Sequence, residues 1–289
     1  MAIIELVDVV TKALDDGENI IGIFIDLSKA FDTIDHGILL KKIEKYGIRG
    51  KAMELIRLFL SNRSQVVKYK EETSNRQSIT CGVPQGAILS SCLFILFIND
   101  LPKTTEKLRF IIFADDTNIL ASGKDYKALE NNVNEELKVL ARWFEANKLS
   151  LNVTKTNLMS FRNKNSNNIH PTPRITLNGK ILERVNRTKF LGVTVDENLD
   201  WQTQTRNVIK KVSSALGGLN RAKKVLPTRS LKVLYNSFIL PHLTYGLEVW
   251  SNSSKTTFNE IKKIQRKAIR IVTKPPIPHQ RSLYLPRKI

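Results

Sequence analysis

Three aspartates stand where acidic side chains are costly. Asp26 closes the apolar run 20–25 (IIGIFI), and Asp115 and Asp116 separate the apolar runs 108–113 and 117–121. A carboxylate at the end of a buried strand needs something cationic to meet it. If folding brings these strand ends together, two or three carboxylates make a site for hard divalent cations, Mg²⁺ foremost. Two such ions held roughly 3.5–4 Å apart activate an attacking oxygen and stabilise a leaving one, which suits nucleotidyl transfer. Each signal alone is weak, since an Asp-Asp pair at a turn is ordinary turn chemistry and Asp26 could equally cap a helix. Other chemistries lack their residues. His36, His170, His242 and His279 are isolated, without metal-ligand spacing or a pairing suited to nucleophilic catalysis. Neither a G-x-S-x-G nor a phosphate-cradling G-x-x-x-x-G-K segment occurs.

The elements that must position these carboxylates follow from periodicity. Residues 20–25 read as a buried strand, and 108–113 with 117–121 as a hairpin carrying the acidic pair near its turn. Asp35 is placed to cap a helix reaching about Tyr46, where Gly47 stops it, and a second helix is expected over 51–60. Tyr126, Leu129, Val133, Leu137, Leu140 and Phe144 recur at three- and four-residue steps, the stripe of a long amphipathic helix. Residues 157–161 return as a strand and 162–174 (RNKNSNNIHPTPR) as a loop. Residues 175–177 and 181–182 read as a hairpin around Asn178-Gly179, and 190–195 as one further strand. From Trp201 the pattern turns helical, with Val208, Val212, Ala215 and Leu219 on one stripe. The expected fold class is α+β: a small antiparallel sheet packed on helices over 1–198, a basic all-helical domain over 199–274, and a loose proline-rich tail over 275–289.

The 289 residues include 46 Lys+Arg against 27 Asp+Glu, a net charge of +19, which excludes an acidic scaffold. The excess is concentrated: residues 201–289 hold 18 basic and 2 acidic residues (+16), leaving 28 and 25 (+3) in residues 1–200. So basic a segment repels itself unless a polyanion is near, and nucleic acid is the commonest one. At about 100° per residue, Phe258, Ile261, Ile264, Ala268, Ile271 and Val272 share one helical face. Lys262, Lys263, Arg266, Lys267 and Arg270 share the other, presenting cations as a phosphate backbone would require. A basic helix lying on a membrane surface is the competing reading. Apolar usage of 42% argues against wholesale disorder. The longest apolar stretch, 87–98, is shorter than the roughly 20 residues of a membrane span, and Glu5, Asp8, Asp15 and Asp16 do not suit a secretory signal. An intracellular protein, nuclear or cytoplasmic, is expected. Cys81 and Cys92 permit at most one disulfide, and buried free thiols are the simpler expectation.

FIDLSKAFD (24–32), GVPQG (82–86), FADD (113–116) and FLG (190–192), in that order, resemble the palm motifs of reverse transcriptases. INDLP (98–102) points to the LINE-type, non-LTR retrotransposon branch with its jockey-like elements, and the likeness runs through nearly the whole chain, including Tyr245-Gly246 and Trp250. The resemblance implies an RNA-directed DNA polymerase with a palm followed by a thumb. It would use two Mg²⁺ ions, with Mn²⁺ as an alternative, an RNA template, a DNA primer and deoxynucleoside triphosphates, with no membrane partner. It implies catalytic roles for Asp26, Asp115, Asp116 and Lys155, the last as a proton donor near the leaving pyrophosphate. The ions would be held by Asp26, the carbonyl of Leu27, Asp115 and Asp116. Asp115 is expected to face Asp26, because neighbouring strand residues point to opposite sides. Phe31 would stack under the incoming sugar and exclude a 2′-hydroxyl, while Gln85 and Gly86 would touch the template and nascent pair. Phe190, Leu191 and Gly192 would form the primer grip, and Lys262, Lys263, Arg266, Lys267 and Arg270 would follow the duplex through phosphates without reading sequence. A core aromatic for Phe31 and an exposed loop lysine for Lys155 are the plain alternatives.

The chain also departs from that pattern. Leu89-Ser90-Ser91 stands where the family has Leu-Gly-Pro, with Ser90 or Ser91 available to cap the next helix. Only 25 residues precede Asp26, with Lys12 their single lysine, so a largely missing fingers region and no endonuclease domain are expected. A catalytically weak or inactive nucleic-acid-binding remnant is the alternative expectation.

Overall fold

The computed structural model describes residues 2–163, 173–251 and 253–273. The tail expected from 275, most of the 162–174 loop, His170 and His279 lie outside the described residues. The chain divides into two compact units, one of Ala2 with residues 4–186 and one running from Arg187. The parting falls earlier than residue 198 because the strands near 190–195 pair with each other and pack on the helix that follows them.

The first unit opens with α1 (Ala2–Asp15), followed by β1 (Asn19–Ile25), α2 (His36–Lys45) and α3 (Gly50–Leu60). Four two-residue strands, β2 (Ser64–Gln65), β3 (Lys68–Tyr69), β4 (Glu72–Thr73) and β5 (Gln77–Ser78), make a narrow ribbon exposed along its length, closed at its base by the Ile79 N–H bonded to the Arg63 carbonyl at 2.9 Å. Then come α4 (Ile88–Ile98), β6 (Arg109–Phe113), β7 (Asp116–Gly123), α5 (Tyr126–Ala146), β8 (Asn157–Phe161), β9 (Thr176–Leu177), β10 (Lys180–Ile181) and β11 (Glu183–Arg184). Five strands form one sheet in the order β11-β8-β1-β7-β6. It is antiparallel except at one edge, where β11 runs parallel to β8, so the expected all-antiparallel sheet is mixed. The chain reaches that edge through the β9–β10 hairpin and enters it in the same direction as β8.

Central β1 is buried at six of its seven positions, which is why it reads as an unbroken apolar run. Ile21, Ile23 and Ile25 join a core with Leu39 and Ile43 of α2, Phe94 and Phe97 of α4, and Leu137, Leu140 and Phe144 of α5. Asp35 caps α2 as expected, accepting the Ile38 N–H at 2.9 Å, and its hydrogen bond from Lys148 at 2.7 Å holds the carboxyl below the usual carboxylate range. Asn178 and Gly179 both adopt positive φ, +50° and +74°, as a tight two-residue hairpin turn requires.

α4 begins at Ile88 without a side-chain cap, so Ser90 and Ser91 lie inside the helix instead of capping it. Its far end is fixed by Lys42, whose Nζ donates to the Phe97 carbonyl and to Asp100 Oδ1, both at 2.7 Å, and lies 4.6 Å from the ring centres of Phe97 and Trp143. Desolvation of this ammonium pushes Lys42 below the usual lysine range. The expected buried thiols are a miss: Cys81 and Cys92 are free and both exposed, Cys92 because the buried face of α4 is made by its neighbours Leu93 and Phe94.

The second unit starts with a hairpin, β12 (Arg187–Phe190) and β13 (Val193–Asp196), where one continuous strand was expected. Leu191 and Gly192, at φ +45° and +81°, reverse the chain between them. Among the described residues five helices follow: α6 (Gln202–Ala222), α7 (Thr228–Phe238), α8 (Leu240–Thr244), α9 (Leu247–Trp250) and α10 (Lys255–Thr273). α6 buries Val208, Val212, Leu216 and Leu219. The Asp196 carboxylate enters it by accepting the N–H groups of Asn198, Asp200 and Trp201. Tyr245 donates its hydroxyl to the Leu191 carbonyl at 2.6 Å, and fully buried Trp250 donates Nε1 to the Tyr245 carbonyl, so the late aromatic residues hold the hairpin turn. Among the described residues no helix is long and apolar enough to cross a membrane.

Candidate active site

The β1–β7 register runs from Asn19↔Gly123 to Ile25↔Thr117, so Asp26 leaves β1 at the end of the pairing where Asp116 begins β7. β6 and β7 are joined by a two-residue turn, Ala114-Asp115, closed by the Phe113↔Asp116 pair. Ala114 sits at φ +52°, a left-handed conformation that costs a residue with a Cβ about 1–2 kcal/mol. Asp115 is therefore a turn residue, and strand alternation does not govern its direction.

Asp26 is held from the other side. Its N–H reaches Thr156 Oγ1 at 3.4 Å, its carbonyl accepts the Asn152 N–H at 2.9 Å, and the Ser28 N–H donates to the Ser150 carbonyl at 2.9 Å. Leu27, whose side chain is buried, bridges to Leu151. Lys155 is exposed in the turn of this same 150–156 loop, which is thereby tied to Asp26.

Asp116 is solvent-exposed, yet its carboxyl is pushed above the usual range, first by partial desolvation and then by the negative charges of Asp115 and Asp26. The carboxylates share one field. Among the described residues no three His, Cys, Asp or Glu side chains form a ready-made metal cage. The donor set still suits a hard divalent ion, because it offers carboxylate oxygens whose mutual repulsion a cation would relieve.

A cavity of about 370 Å³ opens beside them, bordered by Lys29, Phe31, Gln85, Gly86, Ser90 and Asp115. Its walls are joined by backbone. The Gly82 N–H bonds to the Ile34 carbonyl and the Val83 N–H to the Phe31 carbonyl, both at 2.8 Å. His36 Nε2 lies 2.7 Å from the Gly82 carbonyl, and Gln85 Nε2 donates to Asp32 Oδ1 at 2.9 Å. Gly82, at φ +80°, leaves no room for a side chain: a Cβ there would stand 2.6 Å from the Asp32 carbonyl oxygen. Phe31 stacks on Phe94 with ring centres 4.6 Å apart and planes 23° from parallel. Sequence reasoning gave no role to Asp32, His36 or Thr156. Asp32 closes the FIDLSKAFD segment, and its position there was the one available signal.

The sequence pattern of the family described as "Reverse transcriptase (RNA-dependent DNA polymerase)" matches residues 2–195. The chain belongs to the reverse transcriptase family. Its relatives include the "Probable RNA-directed DNA polymerase from transposon BS" of Drosophila melanogaster, 28% identical over 92% of this chain and 30% of that protein. The "RNA-directed DNA polymerase from mobile element jockey" of Drosophila melanogaster is 26% identical over 94% of this chain and 30% of its own length. The chain thus spans about a third of these curated relatives. Apo telomerase from Candida Tropicalis superposes with a TM-score of 0.48 at 15% identity, covering 93% of this chain and 45% of that one.

In the second unit of this reverse transcriptase chain, Phe190 is only 2% exposed and anchors the β12–β13 hairpin in the core. Leu191 and exposed Gly192 are left as its accessible turn. Lys262, Lys263, Arg266, Lys267 and Arg270 are all exposed along α10, opposite buried Ile261, Ala268 and Val272, and Lys262 Nζ lies 4.8 Å from the Phe258 ring centre.

The raised Asp116 pKa has a sign that can be measured. A carboxyl easier to protonate in the fold than in the unfolded chain contributes stability below its unfolded pKa and loses it as pH rises through the raised value. Melting in EDTA at pH 7 should therefore place Asp116→Asn above the parent, with the gap closing as pH falls towards about 4. Saturating Mg²⁺ should lift the parent more than the variant, by several degrees if the ion is present at about 100 times its Kd. Coincident melts throughout would show that these carboxylates do not act on one another.

Proposed function

We propose that the chain catalyses RNA-directed DNA synthesis, adding deoxynucleotides to a primer 3′ end, with residues 1–198 as palm and 199–274 as thumb. The observation that carries this reading is the cavity into which three separate segments bring Phe31, Gln85 with Gly86, and Asp115. Asp26, Asp115, Asp116 and the Leu27 carbonyl would hold two Mg²⁺ ions, or Mn²⁺ in their place. When bound, these ions activate the primer hydroxyl and neutralise charge on the departing pyrophosphate. Phe31, backed by Phe94, bars a 2′-hydroxyl, and Gln85, steadied by Asp32, contacts the nascent pair while Gly86 lets the backbone come close. Lys29 brings positive charge to the triphosphate, and Lys155 delivers a proton to the leaving group from the loop tied to Asp26. Leu191 and Gly192 present the primer grip that Phe190 anchors.

Primer extension on poly-rA/oligo-dT with dTTP tests the reading. Mg²⁺-dependent extension is expected, and a chain that binds this duplex without extending it would refute the assignment. The thumb is tested separately. Neutralising Lys262, Lys263, Arg266 and Arg270 together should weaken duplex binding and flatten the slope of log affinity against log salt by up to about 3.6, given a slope of roughly 0.7–0.9 per phosphate contact. An unchanged slope would move the nucleic-acid face away from α10.

A further inference from the structure

We infer that the cleft between the β12–β13 hairpin and α6 grips the sugar–phosphate backbone of the primer strand through Lys189, Lys210 and Lys211; this rests on the polymerase reading above and adds cations apart from the α10 row. A cavity of about 470 Å³ lies there, bordered by the three lysines with Gly192, Asn207 and Ser214. Its two walls are tied together by side chains. Lys189 and Thr194 are register partners, so both leave the same face of the hairpin. Thr194 is held on α6: its N–H donates to Gln204 Oε1 at 2.9 Å, and its Oγ1 accepts from Asn207 Nδ2 at 3.1 Å. Gln204, Asn207, Lys211 and Ser214 recur at three- and four-residue steps, which lines them up on one flank of α6 beside the buried stripe of Val212 and Leu216. Lys189 thus borders the cavity from the hairpin, and Lys210 and Lys211 border it from the helix.

All three lysines are exposed, and among the described residues none of them forms an ion pair. No carboxylate of the described residues borders the cavity. Asp196 and Glu197, near in sequence, are buried, and the Asp196 carboxylate is committed to three backbone N–H groups. Ammonium groups gathered round one cavity repel one another, and a partner with several negative charges relieves that repulsion. A phosphodiester strand carries one charge at every nucleotide. Asn207 and Ser214 add hydrogen-bonding groups suited to phosphate and sugar oxygens, contacts that position a duplex without reading its sequence. The strand is the primer, because Gly192, in the turn proposed as the primer grip, borders the same cavity. A lipid surface presents its charge on a plane, which a cleft with cations on both walls does not match.

The test is equilibrium binding of a DNA primer on an RNA template, across a range of salt, by the parent chain and by the triple variant Lys189→Gln, Lys210→Gln, Lys211→Gln. The triple variant should bind about 10- to 100-fold more weakly near 0.1 M salt and flatten the slope of log affinity against log salt by about 2–2.7. A control, Lys224→Gln with Arg229→Gln and Lys232→Gln, removes the same charge from exposed positions outside the cleft and should change the slope by less than half as much. Both variants should melt with the parent, as exposed substitutions do. Neutral methylphosphonate linkages near the primer 3′ end should abolish the difference between parent and cleft variant, whereas the same linkages in the template should leave it. Equal effects of the two triples, or a difference abolished only by the modified template, would overturn the assignment. So would a cleft variant that keeps the primer–template but loses phosphatidylserine vesicles. A parent chain that binds no primer–template fails at the polymerase reading itself, and the cleft assignment falls with it.

Discussion

Changing Asp115 to Asn is expected to lower primer extension about a thousandfold while leaving duplex affinity within about twofold of the parent. Asparagine keeps the shape of the side chain, so the Ala114-Asp115 turn and the β6–β7 pairing have no reason to move. On the proposed reading what is lost is one charge that would face the ions, and a loss of about 4 kcal/mol of transition-state stabilisation corresponds to that factor. A second readout separates this from misfolding. Asp115 is one of the charges that raise the Asp116 pKa, so its removal should leave the metal-free chain as stable as the parent or more so. Activity within tenfold of the parent would show that the carboxylates at these strand ends are not where the chemistry occurs.

Gly82→Ala is expected to do comparable damage by a different route. Its new Cβ would lie 2.6 Å from the Asp32 carbonyl oxygen and 2.8 Å from the Asp32 carbonyl carbon and Cα, all backbone atoms with no rotamer to yield. Left-handed strain of about 1–2 kcal/mol and overpacking of about 1–3 kcal/mol then add, a loss of roughly 2–5 kcal/mol in urea unfolding. The Asp32–Gln85 bond sits on the same contact, so KM for nucleotide should rise as well. Gly86→Ala is the control: it shares the positive φ, at +88°, but meets no atom within 4 Å, and should cost only the conformational part, about 1–2 kcal/mol. Equal losses at the two glycines would show that the approach to Asp32 is not tight.

Elements whose information is local were legible in the sequence. β1, the Asp35 cap, the stripe of α5, the Asn178-Gly179 turn and the two faces of α10 depend on spacing within one segment, and each stands where the pattern put it. The carboxylates were legible as a set, because apolar runs ending in Asp are conspicuous. The turn that carries them was not: it has two residues instead of three, and Ala114 conceals it because nothing in its type announces positive φ. Leu191 hides the β12–β13 reversal for the same reason. The thiols and the serines of α4 were misjudged because that helix is apolar almost all round, which leaves periodicity nothing to read. Contacts made across distance, such as Asp32 with Gln85, His36 with Gly82 and Lys42 with Asp100, had no signature along the chain.

The ribbon β2–β5 leaves the body of the first unit at Arg63 and returns at Ile79, immediately before the loop that holds Gly82, and its strand residues are all exposed. Both ends meet at one backbone bond, so the chain's exit and return points stay together whatever lies between them. Doubling the length of such an excursion costs only about 0.6 kcal/mol of closure entropy. Lengthening, shortening or recoding the tip of the ribbon is therefore expected to cost little, since none of its strands belongs to the five-stranded sheet.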